Sequence, residues 1–282
     1  MKLMSFAVGS RRSFGLVEGN HVKDLGPLRH RFGGTLRELL VNDGLAGLKE
    51  LRTAELPSIA LSDVTFLPVI SDPQKILCIG INYASHVRET GREMPKYPMV
   101  FTRFADTQTG HRNPLIRPPN SANLDFEGEL AVVIGRRAHR VAAAEALSFV
   151  AGYSCYNDGT LRDWQRHTAQ FIPGKNFPQT GGFGPWLVTA DEIADPSRLH
   201  LTTRVNGAVM QDTETSDMIF DVAHLIEYCS AFTPLSAGDV IVTGTTGGVG
   251  AFREPPLWLK PGDNVEVEIS GIGVLHNTVR DE

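Results

Sequence analysis

The chain has 282 residues, of which 41% are hydrophobic and 21% are charged, a composition that excludes an intrinsically disordered protein. Its 28 glycines and 17 prolines amount to about 16% of the residues, against about 12% on average, and this excess predicts many turns between short strands. The formal charge of −5 gives no electrostatic basis for binding nucleic acid or an anionic membrane surface.

The sequence lacks the patterns of a membrane span and of a secreted protein. Its apolar runs, such as residues 130–134, are far too short to cross a bilayer, and we expect no signal peptide in the stretch MKLMSFAVGSRR. Cys78, Cys155 and Cys229 are widely spaced and odd in number, so we expect buried free thiols and no disulfide framework. These features predict a cytoplasmic protein.

Residues 1–72 are predicted to form a small N-terminal α/β module. Short strands are expected at residues 2–8 and 15–22, and a helix is expected after Thr35, where leucines recur at helical spacing. The turn-forming tetrapeptide SDPQ then marks a boundary near residue 72.

The rest of the chain, residues 73–282, is predicted to form a second domain that is rich in strands. Strands are expected at residues 75–81, 99–104, 126–134, 240–243, 265–269 and 273–279. Helices are expected at residues 82–89, 142–151 and 216–232. Strands outnumber helices and do not alternate with them regularly, which predicts a mixed α/β, mainly β fold rather than a doubly wound sheet or a TIM barrel.

Two glutamates stand at the start of the strongest predicted strand. Because side chains alternate along a strand, Glu127 and Glu129 are expected to project to the same side. Neighbouring carboxylates repel each other unless a cation or a proton lies between them. A solvent-facing strand edge would explain the pair equally well, but the buried run LAVVIG that follows favours a functional role.

A third carboxylate, Asp158, lies in the segment YNDGTLRDWQ. Together with Glu127 and Glu129 it could complete a site of oxygen ligands, which suits Mg²⁺, Mn²⁺ or Ca²⁺ and not Zn²⁺. The alternative is that Asn-Asp-Gly is only a turn, since no sequence pattern proves that Asp158 lies near the glutamates.

His86 and Glu89 have the spacing of side chains that share one helix face. A carboxylate beside an imidazole orients the ring and raises its basicity, so the pair could activate water. An exposed helical ion pair is the alternative. Lys175, in a loop flanked by glycine and proline, could stabilise an oxyanion or bind a carboxylate, or could simply be solvated.

The Gly-rich segment TGTTGGVG, residues 243–250, could bring backbone N–H groups close to an anion. A tight turn after a strand is the alternative, since the segment matches neither a P-loop nor a dinucleotide fingerprint. The sequence contains no GxSxG nucleophile motif. A hydrolase built on this chain would therefore use metal and water rather than a covalent serine.

Taken together and in order, the segments over residues 73–280 resemble the fumarylacetoacetate hydrolase family. The resemblance rests on CIGINYASHVRE, DFEGELAVVIGRR, AGYSCYNDGTLRDWQ, PGKNF, GPW, VNG, GDVIVTGTTGGVG and LKPGDNVEVEISGIGVLHN. It implies a β-roll fold with the small N-terminal module in front of it, a homodimer, and Mg²⁺ or Mn²⁺ as the cofactor, with Ca²⁺ as a further candidate.

The resemblance also implies roles for nine residues. The implied metal ligands are Glu127, Glu129 and Asp158. The implied catalytic residues are His86, Glu89 and Lys175. The implied contacts of the oxoacid substrate are Arg162, Gln165 and Thr245.

The expected activity is hydrolysis of a C–C bond in an acylpyruvate-type 1,3-dioxo acid, such as maleylpyruvate or fumarylpyruvate, in aromatic or oxoacid catabolism. The alternative is a 2-oxo diacid decarboxylase or keto–enol isomerase that uses the same metal-enolate site. A third hypothesis is a protein that binds a metal or an oxoacid without turnover. The partner expected in each case is a small oxoacid, with no nucleic acid and no membrane.

Overall fold

The computed structural model describes residues 1–51, 53–91 and 93–282. Its strands are β1 Lys2–Val8, β2 Arg11–Glu18, β3 His21–Asp24, β4 Ser58–Ala60, β5 Thr65–Phe66, β6 Ile76–Gly80, β7 Met99–Arg103, β8 Gln108–Thr109, β9 Leu115–Arg117, β10 Leu124–Asp125, β11 Gly128–Ile134, β12 Val150–Asp158, β13 Thr160–Leu161, β14 Gly181–Thr189, β15 His200–Val205, β16 Ala208–Glu214, β17 Val240–Thr245, β18 Asn264–Ile269 and β19 Gly273–Asp281. Its α-helices are α1 Arg29–Phe32, α2 Leu36–Val41, α3 Gly44–Lys49, α4 Ala84–Thr90, α5 Ala143–Ala146, α6 Arg162–Gln165, α7 Ile172–Lys175 and α8 Val222–Phe232.

One large sheet dominates the structure. Its strand order is β4-β3-β2-β1-β14-β12-β11-β17-β6-β7, with β5 added to β1 and β8 added to β14. A second sheet has the order β16-β15-β18-β19-β9, and β10 pairs with β13. The fold is mixed α/β and mainly β, as the sequence predicts.

The N-terminal strands belong to the large sheet. Strand β1 pairs antiparallel with β14, with Lys2 opposite Val188. Leu3 and Phe14 also pack in the same hydrophobic cluster as Val240. Residues 1–72 therefore share a sheet and a core with the rest of the chain, and a domain boundary near residue 72 remains a prediction.

The strands β11, β12 and β17 position the candidate site. Every residue of the three is buried, because β11 lies between β12 and β17, and β12 lies between β11 and β14. The start of β11 meets the ends of its two neighbours, with Gly128 opposite Asn157 and Glu129 opposite Thr245. The ends of these central strands thus bring together residues that are distant in sequence.

The predicted helix at 142–151 is too long. Helix α5 ends at Ala146, a short 3₁₀ turn follows, and β12 begins at Val150. Alanine-rich sequence favours a helix locally, but residues from Val150 onward gain cross-strand pairing on both sides of β12. Tertiary pairing therefore overrides local propensity at this point.

The predicted helix at 216–232 begins too early. Helix α8 starts at Val222, because the Asp221 side chain caps it by accepting a hydrogen bond from the backbone N–H of His224 at 2.9 Å. The residues before it extend instead toward Asn82, whose side chain accepts from the N–H of Phe220 at 2.9 Å.

The predicted strand at 15–22 is two strands. Strands β2 and β3 are joined by a turn at Gly19 and Asn20, where Gly19 has a φ of 58°. Glycine adopts this left-handed conformation without a steric penalty.

Other predictions from the sequence are confirmed. Thr35 caps helix α2 by accepting a hydrogen bond from the N–H of Glu38 at 3.1 Å. Cys78, Cys155 and Cys229 are all buried and free. A separate observation concerns the helices as a group: within the described residues, none has the length and apolar character needed to cross a membrane.

His111 is a half-buried histidine that links the N-terminal strands to the second sheet. Its ring packs edge-on against Phe66 at 4.7 Å, and its Nδ1 accepts a hydrogen bond from the backbone N–H of His276 at 3.1 Å. Burial, together with the charge of Arg112, lowers the pKa of His111 to about 4.

We predict that His111 makes the protein less stable in mild acid. An unfolded histidine titrates at about pH 6.5. Below that pH the unfolded state binds a proton at this histidine, whereas the folded state does not bind it until the pH approaches 4. The stability contribution is complete above that pH and is lost as the pH falls toward 4. Between about pH 7 and pH 5, wild type should lose about 1–2 kcal/mol of unfolding free energy more than His111→Asn. Urea unfolding at both pH values measures this, with exposed His139→Asn as the control. Equal pH slopes for wild type and His111→Asn would contradict the assignment.

Candidate metal centre and active site

Three buried carboxylates lie together where β11 begins and β12 ends. Glu127 precedes β11, Glu129 lies in it, and Asp158 ends β12. One oxygen from each lies within 4.8 Å of the others. The backbone fixes this arrangement, because the N–H of Asp158 donates to the Glu127 carbonyl at 2.8 Å and the N–H of Glu127 donates to Asn157 Oδ1 at 2.9 Å.

Lys175 joins two of these carboxylates. From the end of α7, its Nζ donates to Glu127 Oε2 and to Asp158 Oδ2, each at 2.6 Å. Burial acts to lower the pKa of Lys175, but the charges of Asp158 and Glu127 outweigh burial and raise it. The side chain is therefore an ammonium group in direct contact with the cluster.

Arg162 contacts the same cluster from α6. Its Nη2 lies 2.7 Å from Glu127 Oε1, its Nε donates to Asp125 Oδ2 at 2.8 Å, and its Nη1 donates to Gln165 Oε1 at 3.0 Å. Burial acts to raise the pKa of Glu127, but the charges of Arg162 and Lys175 lower it to about 2. Glu127 is therefore ionised, and Gln165 is held against the guanidinium.

The sequence analysis assigned no role to two members of this network. Arg103, at the end of β7, donates from Nη1 to Asp158 Oδ1 at 2.6 Å. Asp125, in β10, accepts from Arg162 and from the N–H of Gly250 at 2.8 Å. The signal for Arg103 in the sequence was its position as the charged last residue of the strand MVFTR, because a buried arginine needs an acidic partner.

Glu129 is the carboxylate of the cluster without a cationic partner among the described residues. Its Oε2 accepts from the N–H of Gly244 at 2.6 Å. Burial, and then the charges of Asp158 and Glu127, raise the pKa of Glu129. Within this network the buried acids outnumber the buried cations by one: the acids are Asp125, Glu127, Glu129 and Asp158, and the cations are Arg103, Arg162 and Lys175.

This arrangement fits a divalent cation. The donor set is all carboxylate oxygen, which suits Mg²⁺, Mn²⁺ or Ca²⁺, and a cation beside Glu129 would relieve the repulsion that raises its pKa. The existing hydrogen bonds do not prevent coordination, since each carboxylate oxygen has two lone pairs. The residues that would hold the ion are Glu127, Glu129 and Asp158.

His86 and Glu89 form the dyad that their spacing predicts. On α4, His86 Nδ1 lies 3.0 Å from Glu89 Oε2, and Glu89 Oε1 accepts from the N–H of Gly248 at 2.9 Å. Burial acts to raise the pKa of Glu89, but the hydrogen bonds from His86 and Gly248 lower it. An ionised Glu89 requires a proton on Nδ1, which leaves Nε2 as the basic nitrogen of His86.

The Gly-rich segment 243–250 contacts protein carboxylates. Its N–H groups at Gly244 and Gly248 donate to Glu129 and Glu89. Gly248 has a φ of 99°, and a Cβ there would lie 2.1 Å from the carbonyl oxygen of Met210, so only glycine fits. The segment thereby ties the dyad to the carboxylate cluster.

Thr245 lies on the same segment and is held from two sides. Its Oγ1 donates to the Gly128 carbonyl at 3.0 Å and accepts from Gln211 Nε2 at 2.8 Å. Gln211 also accepts from the N–H of Gly128 at 2.9 Å. This glutamine, which no motif indicated, fixes the join between β11 and β17.

A cavity of about 180 Å³ lies between the carboxylate cluster and His86. Its polar lining includes His86, Glu127, Glu129, Gln165, Lys175 and Thr245. Asp158 lies behind this surface, fully buried under Lys175 and Arg103. The volume is below the roughly 300–1,000 Å³ of sites for drug-sized ligands, so the cavity suits a small acid.

Two bulky residues of the wall have left-handed backbone. Ile81 has a φ of 57° and Phe171 a φ of 65°, and both line the cavity. For β-branched isoleucine this conformation is a true outlier that surrounding contacts must maintain.

Comparison with known proteins adds relatives along nearly the whole chain. Residues 75–280 match the C-terminal domain of fumarylacetoacetate (FAA) hydrolase. The mitochondrial protein named oxaloacetate tautomerase FAHD2A, from Bos taurus, is 43% identical over 272 residues, which are 94% of this chain and 86% of that protein.

Two solved structures share the fold. Fumarylacetoacetate hydrolase from psychrophilic Exiguobacterium antarcticum is 33% identical, with a TM-score of 0.85 and all of both chains covered. Maleylpyruvate hydrolase from Sphingobium sp. SYK-6, in complex with manganese(II) ion and pyruvate, is 26% identical, with a TM-score of 0.83 over 100% of this chain and 99% of that one. The match over residues 75–280 and the 43% identity over 94% of this chain show that the chain belongs to the fumarylacetoacetate hydrolase family.

Proposed function

We propose that this chain is a divalent-metal-dependent enzyme that interconverts the keto and enol forms of oxaloacetate or a similar 2-oxo diacid. The observation that carries the proposal is that His86, Glu127 and Glu129 line one small cavity. A relative that is 43% identical bears the name oxaloacetate tautomerase. We therefore favour keto–enol isomerisation over hydrolysis of an acylpyruvate as the activity.

A divalent cation held by Glu127, Glu129 and Asp158 would polarise the 2-oxo group and stabilise negative charge on its oxygen. The protein supplies the rest of the electrostatic environment. Lys175 and Arg162 keep Glu127 ionised and oriented. The third proton of Lys175 Nζ remains available to a substrate oxygen, because two are donated to Glu127 and Asp158.

His86 moves the proton. Its Nε2 takes a proton from the carbon next to the 2-oxo group, and the electron pair of that C–H bond shifts toward the oxygen. The imidazolium that forms is paired with Glu89 at 3.0 Å, which stabilises it. Delivery of the proton to the oxygen completes the enol, and the reverse sequence regenerates the keto acid.

Hydrolysis of an acylpyruvate is the second candidate. The same His86 could take a proton from water, and the resulting hydroxide would attack the distal carbonyl. The likeness to maleylpyruvate hydrolase supports this candidate, whereas the cavity of about 180 Å³ favours a smaller acid. Decarboxylation of a 2-oxo diacid would need the same charge stabilisation.

We predict that the purified protein with Mg²⁺ exchanges the C3 protons of oxaloacetate for deuterium in heavy water faster than the uncatalysed reaction. The C–C bonds should remain intact, as monitored by proton NMR. His86→Ala should lower the exchange rate by about 10²–10⁴-fold, the usual contribution of a general base. The matched control is His139→Ala, since His139 is exposed and lies outside the cavity. Pyruvate as the initial product would favour decarboxylation, and cleavage of maleylpyruvate without exchange would favour hydrolysis.

We predict that metal binding depends on Glu129. In wild type, Mg²⁺ or Mn²⁺ at about 100 times its dissociation constant should stabilise the fold by about 2.7 kcal/mol. Glu129→Gln should abolish this gain, yet should not destabilise the metal-free protein, because it removes like-charge repulsion. Thermal unfolding with and without chelator measures both effects, and Glu145→Gln on the exposed face of α5 is the control. A metal-induced shift that survives in Glu129→Gln would contradict the assigned site.

We also propose that the protein is a homodimer and that its ligands are small oxoacids. Light scattering should give twice the mass of one chain. A cytoplasmic location remains a prediction from the sequence, and the bovine relative is named as mitochondrial.

A further inference from the structure

Arg166 is a positively charged residue at the cavity, and it has no acidic partner within the part of the chain that the structure describes. It directly follows α6, lines the cavity and is exposed. Its backbone N–H donates to the Asp163 carbonyl at 3.3 Å, which holds the chain in place. Across residues 1–51, 53–91 and 93–282, no ion pair includes its guanidinium.

The other cations of the cavity are already engaged. Arg162 donates hydrogen bonds to Asp125 and Gln165, and its Nη2 lies 2.7 Å from Glu127 Oε1. Lys175 donates to two carboxylates of the cluster. Arg166 is therefore the guanidinium that remains fully available to an anionic group of a substrate.

The charge balance indicates which anion that would be. With all four of its acids ionised, the buried network of four acids and three cations has one excess negative charge, and a bound divalent cation would bring it to one excess positive charge. The carboxylate beside the 2-oxo group of a substrate would neutralise that charge. A second carboxylate would need another cation, and the site offers Arg166.

We propose that Arg166 binds the second carboxylate of a 2-oxo diacid and thereby selects diacids over monoacids of the same chain length. This inference rests on the proposed function for the orientation of the substrate. Arginine suits the role because its planar guanidinium binds a carboxylate through two parallel hydrogen bonds. The nearby wall residues Ile81, Phe171 and Phe252 have no hydrogen-bond donors in their side chains. They therefore offer the second carboxylate no alternative binding position.

The test is equilibrium binding, measured by calorimetry with Mg²⁺-loaded protein. Two pairs of acids differ only at the far end: oxaloacetate with 2-oxobutyrate, and 2-oxoglutarate with 2-oxovalerate. Wild type should bind at least one diacid about 10-fold or more tightly than its monoacid, the value expected for a charged hydrogen-bonded pair. Arg166→Gln should abolish that preference by weakening the diacid alone, and Arg166→Lys should restore part of it.

The matched control is Arg137→Gln, since Arg137 is exposed and follows the opposite end of β11 from Glu129. This variant should keep the wild-type preference. The inference is overturned if Arg166→Gln retains the preference, if it weakens both acids of a pair equally, or if wild type shows no preference. Wild type that prefers diacids but fails to exchange C3 protons would refute the tautomerase proposal and leave the role of Arg166 supported.

Discussion

The structure depends on the need to pair charges that are buried together. Lys175 lies between Glu127 and Asp158 at 2.6 Å from each, and all three side chains are almost inaccessible to water. Separated charges at this depth would each cost several kcal/mol of desolvation. The contact therefore couples α7 to the start of β11 and the end of β12. Any rearrangement that separates these elements leaves an uncompensated charge.

The same pairing distinguishes the three carboxylates of the candidate site. Arg103 and Arg162 hold the outer oxygens of Asp158 and Glu127, so these two carboxylates are held from both sides. Glu129 is held by a backbone N–H alone, and burial together with the charges of Asp158 and Glu127 raises its pKa. Glu89 receives hydrogen bonds from His86 and Gly248, and Glu129 receives one from Gly244, so the Gly-rich segment connects the His86–Glu89 pair to the carboxylate cluster.

Much of this site could be predicted because its residues lie in short, recognisable segments. The spacing of His86 and Glu89 predicted their contact, and strand alternation predicted that Glu127 and Glu129 share a side. Asp158 could only be a hypothesis, since its segment is equally typical of a turn. Arg103 and Gln211 lie outside the motifs, and Asp125 lies in one that assigned it no role. Their contacts could not be predicted, because their partners are 55, 34 and 37 residues away, respectively.

By itself, the sequence determined the mainly β fold, the helix cap at Thr35, the buried thiols and the kinds of chemical group at the site. These follow from local periodicity, turn residues and composition. Only the tertiary structure decided where helices yield to strands, as at Val150, and which charges meet. The reason is that strand register joins residues across long separations: the pairing of Gly128 with Asn157 and of Glu129 with Thr245 depends on the whole sheet, and no local pattern encodes it.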